Sequence, residues 1–221
     1  MVDIDIAKFF DHVNHDILMH RIAQVIRDKR VLRLIGRYLR AGVLSGGVVE
    51  RSAEGTPQGG PLSPLLANIY LDALDRELES RGLRFCRYAD DCNIYVGSEA
   101  AAKRVLKGIR AWIEKHLRLK VNEAKSGARR PWERKFLGFR LNRQGQVEVA
   151  PESIERFQRK VREIWREGRA VTSRQLRDEW RRQVLGGWGY YRLAEQRRGI
   201  FGLEGWIRRH IRAVLLAAPA Q

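Results

Sequence analysis

Two adjacent aspartates inside one short hairpin constrain this 221-residue chain more than any other feature. The stretch runs Phe85-Cys86-Arg87-Tyr88-Ala89-Asp90-Asp91-Cys92-Asn93-Ile94-Tyr95-Val96. Phe85, Arg87, Ile94 and Val96 have the two-residue spacing of strands, and Ala89-Asp90-Asp91 supplies the turn. Carboxylates held together at a hairpin tip repel each other. Nearby positive charge relieves that repulsion, and a divalent cation would supply it. Aspartate is also an ordinary turn former, so the pair alone leaves both readings open.

Bulk properties narrow the partners. The chain carries 43 Lys and Arg against 26 Asp and Glu, a formal net charge of +17. A surface this basic attracts polyanions, nucleic acid first among them. No apolar run approaches the roughly 20 residues of a membrane span, and no helix reads as a wide apolar anchor, so no membrane partner is expected. Met1-Val2-Asp3-Ile4-Asp5-Ile6 lacks the basic-then-apolar pattern of a secretory signal. Cys86 and Cys92 fit no zinc spacing and read as reduced, partly buried thiols. Together these point to a cytoplasmic protein. From Pro151 onward there are 16 basic and 8 acidic residues, the denser basic segment, which suggests a carboxylate-bearing body followed by a gripping tail.

In chain order, Val2, Ile4 and Ile6 alternate with Asp3 and Asp5 as a strand, followed by Phe9, Phe10 and Asp11. Asn14 reads as the N-cap of a helix to about Asp28, burying Ile17, Leu18, Ile22, Val25 and Ile26. A second helix, 31–40, buries Leu32, Ile35 and Leu39 and stops at Gly42. Residues 43–52 read as a hairpin around Gly46-Gly47. Gly55-Thr56-Pro57-Gln58-Gly59-Gly60-Pro61-Leu62-Ser63-Pro64 is a stiff loop whose glycines let a ligand approach closely. It feeds a helix, 64–81, capped by Ser63, with Leu65, Leu66, Ile69, Leu74 and Leu78 facing inward. A loop of this kind at a helix N-terminus suits a phosphate or nucleotide; a plain connection is the alternative. Beyond the acidic hairpin come a helix over 99–116, a short strand over 117–121, a polar loop holding Lys125, and a strand over 135–141 paired with 146–149. After Pro151 the pattern turns helical. Ile154, Phe157, Val161 and Ile164 form one apolar stripe that ends at Gly168. A helix from Ser173 with Leu176, Trp180 and Val184 is broken at Gly186-Gly187, and a last helix spans 203–216.

The ordered set of the Asp5 strand, the Gly55–Ile69 loop and helix, and Tyr88-Ala89-Asp90-Asp91 resembles reverse transcriptases, and specifically those encoded by group II introns. The resemblance covers essentially the whole chain. Trp188-Gly189-Tyr190-Tyr191-Arg192 and Trp206-Ile207-Arg208-Arg209-His210-Ile211-Arg212 look like the start of the maturase-specific thumb. The implied fold is α+β: a polymerase palm with a small antiparallel sheet backed by helices (1–149), then an all-helical thumb (150–221). The implied reaction is RNA-directed DNA polymerisation. Asp5, Asp90 and Asp91 match the catalytic aspartates, and with the Ile6 carbonyl they would hold two Mg²⁺ ions. Lys125 matches the lysine that protonates the leaving pyrophosphate. Phe10 matches the ring that excludes a 2′-hydroxyl. Gln58 and Gly59 match the loop on the nucleotide and templating pair, and Phe136, Leu137 and Gly138, with Phe139, match the primer grip. Implied partners are an RNA template, a DNA or RNA primer, dNTP and group II intron RNA.

The fingers that precede the Asp5 strand in the family are not in this sequence. A truncated gene or a split polymerase, its fingers supplied by a second chain, is the expectation. The alternative function is a maturase-like remnant that binds RNA without polymerising; a generic basic domain is a third reading. The net charge yields a first prediction. If the chain engages six to ten phosphates, its affinity for RNA falls about 10³–10⁵-fold between roughly 50 and 200 mM salt, read from filter-binding isotherms.

Overall fold

The computed structural model describes residues 1–41, 43–45, 48–50, 54–57, 59–167, 173–196 and 202–209. The expected helix stops at Gly42 and Gly168, the Gly46-Gly47 turn, Gln58 and the chain beyond Arg209 lie outside the described residues. Packing divides the chain into two units, Met1–Arg129 and Arg130–Gln221.

The first unit is built on a four-stranded antiparallel sheet in the order β4-β5-β1-β6. Its strands are β1 (Val2–Ile4), β4 (Arg84–Tyr88), β5 (Asp91–Tyr95) and β6 (Gly127–Ala128). A separate hairpin pairs β2 (Val43–Ser45) with β3 (Val48–Glu50). Helices α1 (His15–Val25), α2 (Lys29–Arg40), α3 (Ser63–Ser80) and α4 (Glu99–Leu117) complete the unit. One core joins helices to sheet: Val2, Ile4 and Ile94 are fully buried with Leu71, Leu74, Leu78, Ile109 and Ile113. Tyr70, buried on α3, donates its hydroxyl to the Leu117 carbonyl at 2.6 Å and ties α3 to the end of α4.

Caps set the helix starts. Asn14 Oδ1 accepts from the Ile17 N–H at 3.0 Å, as the sequence predicts. Asp28 does the same for α2 and Ser98 for α4, each satisfying an N–H that the helix leaves open. Other expectations are corrected. Helix α1 ends at Val25, whose side chain is 84% exposed. Leu65, expected inside, is 57% exposed at the first turn of α3. Ser63 is the first residue of α3, not its cap; its hydroxyl donates to the Pro57 carbonyl at 2.6 Å. In place of a strand over 117–121, a left-handed Arg118 turns the chain out of α4, and only Val121 bridges to Ile6. Of the two thiols, Cys86 is exposed and only Cys92 is buried.

The second unit holds a three-stranded antiparallel sheet of β7 (Lys135–Phe136), β8 (Phe139–Leu141) and β9 (Val147–Val149). The run expected as one strand over 135–141 is therefore a hairpin, because Leu137 (φ 52°) and Gly138 (φ 83°) reverse the chain. Helices follow: α5 (Pro151–Glu167), α6 (Ser173–Trp180) and α7 (Gly186–Tyr191), then α8 over 202–209. The apolar stripe of α5 is as predicted, with Phe157, Val161 and Ile164 buried. Gly186-Gly187 does not break the chain. A single π-helical turn, Arg181–Leu185, joins α6 to α7 without interruption. Gly187 serves packing: a Cβ there would lie 2.7 Å from the Phe157 ring. No described helix is long and apolar enough to cross a membrane. Gly187→Ala should destabilise the second unit by about 1–3 kcal/mol through overpacking, measured as a lower urea midpoint with an unchanged m-value.

Candidate active site

The acidic hairpin is tighter than the sequence suggests. Tyr88 pairs directly with Asp91, so only Ala89 and Asp90 form the turn and Asp91 opens β5. Ala89 has φ 53°, the sign that primed hairpin turns require at their first central residue and that side chains resist.

Strand register decides what stands beside this turn. In the β1–β5 pair, Val2 faces Ile94, Asp3 faces Asn93 and Ile4 faces Cys92. One further step along that register sets Asp5 opposite Asp91. Opposed residues share a face, and faces alternate along a strand. Val2, Ile4, Cys92 and Ile94 therefore go to the helix side, where all are buried. Asp3, Asp5, Asn93 and Asp91 point the other way. Asp5 and Asp91 are thus brought to one face of one sheet, with Asp90 beside Asp91 in the turn.

A polar loop grips Asp5. The Asn122 N–H donates to the Asp5 carbonyl at 2.8 Å. The Asp5 N–H donates to Ser126 Oγ at 2.9 Å, and that hydroxyl lies 3.3 Å from the Asp5 carbonyl. Lys125, on the same loop, places its ammonium 3.4 Å from Asp5 Oδ2. Ile6 follows with a buried side chain and the bridge to Val121. The Asp91 carboxyl is pushed above its ordinary range: loss of water raises it most, then the charges of Asp90, Asp5 and Asp3, while Lys125 opposes them. The face is a focus of negative charge partly countered by one lysine.

The glycine loop meets Phe10 through its backbone. The Gly55 N–H donates to the Val13 carbonyl at 2.7 Å and the Thr56 N–H to the Phe10 carbonyl at 2.6 Å. Gly55 has φ 92°, and a Cβ there would lie 2.8 Å from the Asp11 carbonyl, so only glycine fits. His15 Nε2 contacts the Gly55 carbonyl at 2.6 Å, and His12 pairs with Glu54 at 3.0 Å. Gly59 has φ 80° with open space around its Cα, whereas a Cβ at Gly60 would strike the Tyr38 hydroxyl. The loop is pinned at both ends, and Gly59 faces free space between them.

Phe136, Leu137 and Gly138 belong to the β7–β8 hairpin of the second unit. Tyr190 donates its hydroxyl to the Leu137 carbonyl at 2.6 Å, and the Ala150 N–H donates to the Gly138 carbonyl at 3.0 Å. The Trp188–Arg192 segment therefore clamps this turn.

Among the described residues, no group of three or more His, Cys, Asp or Glu side chains is arranged to hold a metal ion. Sequence reasoning missed Ser126, which fixes Asp5 through its backbone, and Arg87 with Asp75, an ion pair beneath the acidic turn. A serine one residue from a candidate lysine carries no signal of its own. The Asp75–Arg87 spacing becomes visible only once α3 and β4 are packed together.

Residues 1–141 match the family described as reverse transcriptase (RNA-dependent DNA polymerase). The chain belongs to the reverse transcriptase family. Among its relatives, protein YkfC of Escherichia coli is 29% identical, over 57% of this chain and 42% of its own length. The group II intron-encoded protein LtrA of Lactococcus lactis subsp. cremoris is 42% identical, over 39% of this chain and 14% of its own. The chain thus spans less than half the length of either relative. Its likeness within the family is to the group II intron type. Apo telomerase from Candida tropicalis has the same fold over 71% of this chain and 33% of its own, with a TM-score of 0.56 at 14% identity. A reverse transcriptase palm with these strands and this loop is the α+β arrangement that the sequence predicts.

The raised Asp91 carboxyl has a stability consequence. A carboxyl harder to ionise in the fold than in the unfolded chain withdraws stability as pH rises through its ordinary range and on through its raised value. Asp91→Asn should therefore melt above wild type at pH 7. That gain should vanish below about pH 3, where both carboxyls are uncharged, as measured by thermal scans across pH.

Proposed function

We propose that this reverse transcriptase chain is the palm (1–149) and thumb (150–221) of an RNA-directed DNA polymerase of the group II intron type. Its substrates are dNTP and a DNA or RNA primer on an RNA template. Group II intron RNA is its further partner. The register that sets Asp5 opposite Asp91, with Asp90 in the adjoining turn, supports this reading. It places the protein in the cytoplasm of a bacterium or in an organelle.

The chemistry of the donors suits Mg²⁺, although the side chains are not arranged around an ion in the structure. All three side chains offer hard oxygens, Mg²⁺ binds through few carboxylates plus substrate phosphates, and the charge crowding at Asp91 would be relieved by a cation. Asp5, Asp90 and Asp91, with the Ile6 carbonyl, would hold two ions. When bound, such ions lower the pKa of a primer 3′-hydroxyl and offset charge on the triphosphate. The chain's residues do the rest. Lys125, whose ammonium lies 3.4 Å from Asp5 Oδ2, would give its proton to the departing pyrophosphate oxygen. Phe10 sits where its backbone meets the glycine loop and excludes a ribose 2′-hydroxyl. Gly59, with open space before it, lets the nucleotide approach the backbone, and Gln58 contacts the templating pair. The Phe136-Leu137-Gly138 turn, held by Tyr190, grips the primer strand.

Primer extension on an RNA template with purified chain, with and without Mg²⁺, tests the assignment. Asp90→Ala should lower extension at least ~10³-fold and leave RNA affinity within about twofold, since phosphate contacts dominate binding. Wild-type extension by Asp90→Ala would refute the metal assignment. Tight RNA binding without dNTP incorporation by the native chain would favour the maturase-like, non-polymerising reading.

A further inference from the structure

One side chain fastens the acidic turn from beneath. Arg87 pairs across the sheet with Cys92 and so lies on the helix-facing side, where its side chain is only 10% exposed. Its Nε donates to Asp75 Oδ1 at 2.7 Å and its Nη2 to Asp75 Oδ2 at 2.5 Å. Its Nη1 donates to the Ala89 carbonyl at 2.9 Å and to Asn68 Oδ1 at 3.2 Å. Asn68 and Asp75 stand on one face of α3, two helical turns apart. Ala89 is the first residue of the turn that carries Asp90.

We propose that Arg87 is a positioning residue, whose guanidinium locks the Asp90–Asp91 turn to α3, the helix fed by the glycine loop, so that carboxylates and nucleotide loop are held as one body. The proposal rests on the polymerase reading of this site. Its argument is geometric. The β4–β5 ladder has five register pairs of its own and packs Phe85 and Ile94 into the core, so the hairpin forms without Arg87. The turn is what needs help. Ala89 holds a positive φ that alanine resists, and its carbonyl is fixed by the guanidinium. A bidentate fork sets both distance and angle. Lysine, a single rotatable ammonium, cannot meet Asp75 Oδ1, Asp75 Oδ2 and the Ala89 carbonyl in those directions at once. Groups that orient metal ligands from behind have effects of this kind on affinity and rate. Arg87 touches no substrate; it acts through Ala89 on the two aspartates that follow.

The test uses the full chain with two variants: Arg87→Lys, and the double Asp75→Asn/Arg87→Gln, which leaves no unpaired charge behind. Mn²⁺ binding is read by electron paramagnetic resonance, extension kinetics by kcat and KM on an RNA template, and folding by thermal melting. Both variants should melt as cooperatively as wild type and bind RNA within about twofold of it. Their Mn²⁺ affinity and kcat should fall about 10–100-fold, with KM for template–primer unchanged. Wild-type Mn²⁺ affinity and kcat in either folded variant would overturn the proposal. So would losses that merely track the unfolded fraction. If the native chain incorporates no dNTP, the polymerase reading fails, and the Mn²⁺ comparison alone decides the positioning role: equal affinities in native and variant chains overturn it. A native chain that binds no Mn²⁺ overturns both.

Discussion

The register between β1 and β5 is the constraint on which the site depends. A one-residue slip would turn every side chain of β1 to the opposite face. Val2 and Ile4 would leave the core, and Asp3 and Asp5 would turn toward it. Full burial of such side chains stabilises by about 1.5–3 kcal/mol each. Two carboxylates ~5 Å apart near a surface repel by roughly 3 kcal/mol. Burial of these two side chains, with two carboxylates kept out of the core, therefore outweighs the crowding of acids on the other face. The core holds the aspartates together against their own charge, and the site inherits its geometry from residues that never touch it.

Much of this was legible from residue patterns alone. Strict alternation over Val2–Ile6 gave the strand and its faces, because a half-buried strand has period two. Asn14 marked a helix start because its side chain competes well for a free N–H. The acidic hairpin was readable from its flanking strands, although its turn proved one residue shorter than Ala89-Asp90-Asp91. Readings failed where tertiary contacts override local preference. Leu137 looks like a strand residue, yet Tyr190 holds its carbonyl in a turn. Gly186-Gly187 looks like a break, yet it is a helix stretch whose missing side chain makes room for Phe157. Val25 completed a helical stripe but lies where the helix ends and nothing covers it. Periodicity reports what could be buried, not whether a neighbour arrives to bury it. The same limit hid Ser126 and the Asp75–Arg87 pair, whose contacts join positions 121 and 12 residues apart.

Backbone strain concentrates where the site is shaped. Among the described residues, four that are not glycine have positive φ: Lys8, Ala89, Arg118 and Leu137. Lys8 precedes the Phe9–Asp11 turn that offers the Phe10 carbonyl to the glycine loop. Ala89 opens the acidic turn, Arg118 redirects the chain toward the Asn122–Ser126 loop that holds Asp5, and Leu137 makes the turn clamped by Tyr190. Each such conformation costs on the order of 1–2 kcal/mol and persists only where surrounding contacts over-determine it. Each of the four has an identified hydrogen bond at or beside the strained residue. The fold spends stability at these points to aim backbone and side chains.

The chain's charge works at two ranges that do not substitute for each other. A net charge of +17 would by itself favour ionised carboxylates everywhere, yet the Asp91 carboxyl is held above its ordinary range. Loss of water is the largest cause, and screening explains why the net charge does not reverse it. At physiological salt, charges more than ~8 Å apart scarcely feel each other, so distant arginines cannot offset Asp90, Asp5 and Asp3. Lys125 is close enough to help, but one ammonium faces several carboxylates. A local cation of higher charge would neutralise this face further. A dispersed basic surface suits instead a polyanion long enough to lie across many of its charges, and the two arrangements coexist in one chain because salt separates them.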